Sequence, residues 1–230
     1  MNNIRTVSDT KRTFYSIHTR PVNSIYRRVV EELMVEMHLL SVNVNFRYDP
    51  IYALGVVTVF DRFLQSYSPE TDKASIFQAL VQAQGDDPQK YRADAKRLEA
   101  IATRLSPVEL IDWLSRISNF PETGDLQDTL NGIAQNPQFK YSRLFGIGLL
   151  SLLEIANPSL LQDEQQRNEA LQKICTPLNL SFDKLTKDLD LYRSNLDKVA
   201  QAKLAIEDAL KADRKKREQQ AAAAQAAQSS

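Results

Sequence analysis

The chain has 230 residues, 43% of them apolar, with 29 Lys and Arg offset by 29 Asp and Glu. That length fits one domain plus an appendage, and the apolar share suffices to bury a core. Zero formal charge argues against a nucleic-acid binder, and the single cysteine, Cys175, excludes an internal disulfide and suits a reducing compartment.

The first residues, Met1 to Arg5, lack the apolar core of a signal peptide. Residues 1–30 hold Arg5, Lys11, Arg12, Arg20, Arg27 and Arg28 against Asp9. Such a basic start reads either as a solvated arm or as a contact for acidic lipid or a partner. Val22, Ile25, Tyr26, Val29, Val30, Leu33, Met34, Met37 and Leu40 then recur at helical spacing. The opposite face carries Arg27, Arg28, Glu31, Glu32 and Glu36 and is expected to meet water or a partner.

Prolines punctuate the rest. Seven of the nine follow Asp, Ser, Asn or Thr: Asp49-Pro50, Ser68-Pro69, Asp87-Pro88, Ser106-Pro107, Asn136-Pro137, Asn157-Pro158 and Thr176-Pro177. The first side chain of each pair can cap free backbone N–H groups, and proline at the next position loses no helical bond. The series predicts helix starts, with a capping box at Ser106 and Glu109. Ile51 to Tyr67 and Tyr141 to Ala156 are apolar nearly all round, as central helices of a bundle are. The valine-rich Ala53 to Phe60 lies inside the first of them and is read as helix. The longest apolar run, Leu144 to Leu153, falls short of the roughly 20 residues a bilayer requires. With no Asn-Gly or Asp-Gly hairpin turn, the chain reads as all-α.

From Ser181 the pattern changes. Leu185, Leu189, Tyr192, Leu196, Val199, Ile206 and Leu210 follow spacings of three and four, the seam of a coiled coil. Lys203 interrupts the seam, and Asp213 and Arg217 end it. The predicted organisation is a multi-helix bundle over 1–180, a long protruding helix of partial coiled-coil character over 181–212, and a disordered charged and Ala/Gln-rich tail over 213–230.

Chemistry is sparse. His18 and His38 lie in no ligand pattern, since Glu36 and His38 are two apart and point to different faces. Two histidines and one cysteine do not supply a zinc site of the usual composition. No phosphate loop, nucleophile elbow or zinc-protease motif occurs, and Gly146 and Gly148 read as close helix packing. Cys175 reads as a small buried side chain. Asp61, Arg62, Arg143 and Glu154 interrupt the central helices, where charges must pair or reach water. Salt bridges fixing helix register are expected there, with a polar docking cleft as the functional reading.

Three stretches, Tyr26 to His38, Phe46 to Asp61 and Tyr141 to Ala156, resemble the thylakoid formation protein family of cyanobacteria and chloroplasts. Tyr48-Asp49-Pro50 with Thr58-Val59-Phe60-Asp61 is the most specific match. The resemblance runs from about residue 8 into the C-terminal helix, and the lack of a transit peptide favours a cyanobacterial member. It implies a non-enzymatic accessory factor for thylakoid biogenesis and photosystem II assembly and repair, with no cofactor. It further implies a role in supporting thylakoid FtsH proteases from the cytosolic face of the membrane. The expected contact is the seam residues Leu189, Tyr192, Leu196, Val199, Ile206 and Leu210. Two other readings stay open: a peripheral lipid-binding protein held by its basic start, and a pigment-binding or enzymatic bundle.

Overall fold

The computed structural model describes residues 5–228. Among the described residues the regular structure is ten α-helices and two 3-10 turns, with no strand. The helices are α1 (Val7–Ile17), α2 (Ser24–Ser41), α3 (Pro50–Phe63), α4 (Glu70–Gln82), α5 (Pro88–Arg104), α6 (Pro107–Leu114), α7 (Asp125–Gln135), α8 (Arg143–Ala156), α9 (Glu164–Cys175) and α10 (Phe182–Gln228).

Helix starts follow side-chain capping more closely than they follow proline. Asp49, Asp87 and Ser106 cap α3, α5 and α6 with proline at the first helical position. The Ser106–Glu109 capping box forms as the spacing predicts. Four other pairs do something else. Pro69 itself is the N-cap of α4, without a side-chain bond, and Asn157-Pro158 opens only a 3-10 turn. Asn136 bends its side chain onto the N–H of Gln138, a local turn that competes with helix, while Thr176 ends α9. Thr6, Asn23, Ser142 and Asp163 cap helices with no proline beside them.

The core is organised around α3 and α8, which pack on each other and on α5. Every α3 residue from Ile51 to Phe60 and every α8 residue from Leu144 to Leu153 is buried. Their axes approach to backbone contact. A Cβ on Gly55 would lie 1.7 Å from the Leu144 carbonyl oxygen, and one on Gly148 would lie 2.1 Å from that of Ile51. Glycine is therefore required at this crossing for space, not for backbone conformation.

Around this pair, α1 lies on α2 and α4, and α6 on α8 and α9. Of the stripe read along α2, Val22, Tyr26, Val30, Leu33, Met34, Met37 and Leu40 are in the core, while Ile25 and Val29 at its edge are half-buried. The central-helix charges are paired, as the register argument requires. Asp61 accepts two bonds from Arg92, at 2.5 and 2.9 Å, Arg143 meets Glu36 at 2.5 Å, and Arg62 pairs with Glu154.

Contacts divide the chain into two compact units, Met1–Tyr192 and Arg193–Ser230. The first three turns of α10 thus belong to the first unit, where Leu185 faces Gly146 and Tyr192 meets Phe63 at 6.0 Å between ring centroids. The second unit is the remainder of α10. The helix includes 213–228, for which the composition predicts disorder, and the side chains from 215 onward lie outside the described residues.

Candidate functional site

A groove of about 990 Å³ runs along the outer face of α2. Asn23 starts the helix by accepting from the N–H of Ile25, and the core stripe then turns residues 27, 28, 31, 32, 35 and 39 outward. Lys11 of α1 forms one wall, while Lys140 and Arg143 at the start of α8 form another. Val35, Leu39 and Leu40 line the groove as well, and Leu39 is 59% exposed.

The carboxylates of the groove are engaged by cations of the fold. Glu31 accepts from Lys11 at 2.8 Å and from the Tyr15 hydroxyl at 3.0 Å, and the Lys11 bond holds its pKa below the usual range. Glu32 pairs with Arg28 at 2.7 Å. Glu36 is the deepest of the three. Burial raises its pKa and Asp188 of α10 adds to this, while Arg143 opposes both. Only Arg27 and Lys140 among the groove's five cations form no ion pair among the described residues, and both are exposed. The outward charges of α2 were legible in the sequence. The contributions of Lys11, Lys140 and Arg143 were not, because they arrive from distant segments.

The groups with chemical potential elsewhere are fasteners. His18 shares a hydrogen bond with Ser75 at 2.9 Å and His38 one with Thr10 at 2.9 Å. Both rings are almost fully buried, and burial lowers both pKa values. The four residues thereby tie α1 to α4 and α2, with neither imidazole open to a substrate. Cys175 is fully buried and its thiol is pushed up to about 11, far from a reactive thiolate.

Tyr48, Tyr52 and Tyr91 meet edge to face, with Tyr48 donating to Asp94 at 2.6 Å and Tyr91 to Asp86 at 2.8 Å. The specific Tyr48-Asp49-Pro50 motif thus has a structural explanation: it caps α3 and anchors it to α5. Among the described residues no group of His, Cys, Asp and Glu could hold a metal ion.

The seam residues of α10 separate into three sets. Leu189 and Tyr192 are buried in the first unit, each 3% exposed. Leu196 and Val199 are partly exposed in the second unit, where Leu204, off the seam, is 60% exposed. The side chains of Ile206 and Leu210 lie outside the described residues.

The described residues form an all-helical body with a charged groove in which most ionisable side chains are paired within the fold. The model of the thylakoid formation protein family matches residues 6–221, and the chain belongs to that family. It is 64% identical to Protein Thf1 of Trichormus variabilis over 95% of this chain and 94% of the relative. Protein Thf1 of Acaryochloris marina is 59% identical over 95% of this chain and 88% of its own length. A solved structure of Psb29 superposes with a TM-score of 0.71 at 43% identity, covering 85% of this chain and 98% of that one. The family is one of accessory proteins of thylakoid formation and no known enzyme class. No helix among the described residues is long and apolar enough to cross a membrane.

Proposed function

We propose that this chain serves the biogenesis and repair of photosystem II by binding a thylakoid FtsH protease complex and supporting its amount or activity, from the cytosolic face of the membrane. Family membership supplies the thylakoid context. The observation that carries the binding reading is the second unit, in which Leu196, Val199 and Leu204 stay incompletely buried on a continuous helix. Leu196 and Val199, partly exposed at coiled-coil spacing, with Leu204 exposed off the seam, suit the transient capture of another helix. Leu189 and Tyr192 are committed to the core, so the contact is assigned to Leu196, Val199 and the positions beyond, Ile206 and Leu210 included.

The test replaces the cell's own copy with the Leu196→Asp/Val199→Asp chain and quantifies FtsH during high light. A fall in FtsH with slowed recovery of photosystem II supports the reading; unchanged FtsH and recovery contradict it. Lipid attachment through the basic start has less support. Lys11, Arg12, Arg20 and Arg28 are each ion-paired within the fold, and Arg5 donates to the Gln84 carbonyl at 2.7 Å.

A further inference from the structure

We propose that the groove on α2 is a second docking site, for an amphipathic helix of a protein partner whose apolar stripe is flanked by Asp and Glu. The inference is independent of the α10 contact, because every lining residue lies in the first unit.

Its length selects the occupant. From Ser24 to Leu40 the groove follows α2 for 16 residue steps, about 24 Å at the 1.5 Å rise per residue of an α-helix. A compact metabolite would leave most of such an open trough empty, whereas a helix of similar length would fill it. The floor selects the partner's stripe. Val35 and Leu39 are four residues apart and share a face. They take no part in the core stripe, where Val30, Leu33, Met34 and Met37 are each at most 3% exposed.

The rim selects the partner's charge. Lys11, Arg27, Arg28, Lys140 and Arg143 stand against Glu31, Glu32 and Glu36, so the lining carries a net charge of +2 (five minus three). All three carboxylates already have a cation of the fold. Lys140, and Arg27 with only a minor pull on Glu31 and no ion pair, are left to attract a partner's carboxylates, which steers association and fixes orientation.

The test places a photoreactive benzoylphenylalanine at Leu39 of the full chain in photosynthetic cells, irradiates them and sequences the cross-linked peptide. The expected peptide has apolar residues at spacings of three and four bordered by Asp or Glu. Its yield falls at least fivefold in the Arg27→Glu/Lys140→Glu chain and is unchanged in Lys96→Glu, an exposed site on α5. Thermal unfolding of the charge variants, whose sites are exposed, reports whether folding is intact. Cross-links only to a second copy of this chain, only to lipid, or to nothing overturn the proposal, as does a yield indifferent to the charge reversal. Retention of the Leu39 cross-link in the Leu196→Asp/Val199→Asp chain separates this site from the α10 contact.

Discussion

Replacing Gly55 by alanine tests whether the α3–α8 crossing organises the core. Two opposing effects are at work. Alanine favours helix over glycine by about 1 kcal/mol, which alone would stabilise the variant. Against this, the added Cβ would sit 1.7 Å from the Leu144 carbonyl oxygen and 3.1 Å from the Gly148 nitrogen, both backbone atoms that cannot rotate away. Relief requires the two helices to part by about 1.5 Å, and gaps of that order forfeit much of the dispersion attraction along the contact. Overpacking of a tight core costs about 1–3 kcal/mol and more when backbone must move. The expected net loss is about 2–4 kcal/mol, or a Tm lower by roughly 4–16 °C for a chain of this size. Gly132 is the control. It lies within α7 with nothing within 4 Å of its Cβ position, so Gly132→Ala should stabilise by up to about 1 kcal/mol. The assay is thermal and urea unfolding followed by helical circular dichroism. A Gly55→Ala chain as stable as the parent or as Gly132→Ala would refute the reasoning.

Asp49 caps α3 from a buried position, and burial raises its pKa from 3.8 to about 7. A group whose folded pKa is raised binds its proton in the folded state first, so its penalty grows as pH rises from about 4 to 7 and is full above 7. An asparagine side chain in its place would keep a capping oxygen without the charge. Asp49→Asn should therefore be more stable at pH 8, by on the order of 2–4 kcal/mol, with the gain shrinking toward pH 4 in a pH series of melts. Leu185 is fully buried within the first unit, and Leu185→Ala should cost about 2–5 kcal/mol by urea unfolding, whereas Leu196→Ala should change stability little. Native Cys175 should react with a thiol reagent at least a hundredfold more slowly than in denaturant, since its thiol is buried with its pKa raised to about 11.

The parts of the fold legible in sequence are those that depend on one helix at a time. The α2 stripe, the all-round apolar α3 and α8, and the caps at Asp49, Asp87 and Ser106 each rest on periodicity or on a side chain bonding within three residues. Proline misleads where the local turn wins: Asn136 satisfies its oxygen with the N–H of Gln138, and no helix follows until Ser142 caps α8. The seam on α10 keeps one spacing from Leu185 to Val199 but is only partly buried, because spacing alone does not tell which turns find a core and which do not. Leu189 and Tyr192 fall on the core side of that division. Half of the groove was legible for the same reason. The outward charges of α2 follow from its stripe, while Lys11, Lys140 and Arg143 join them only through tertiary packing.

The most direct measurement is the binding of purified full chain to a purified thylakoid FtsH complex in mild detergent, recorded by surface interferometry with the Leu196→Asp/Val199→Asp chain alongside. The account predicts saturable binding to the parent, with at least tenfold weaker binding to the double variant and an unchanged melting profile. Absence of binding to the parent would contradict the protease role, and equal binding by both chains would contradict its placement on α10.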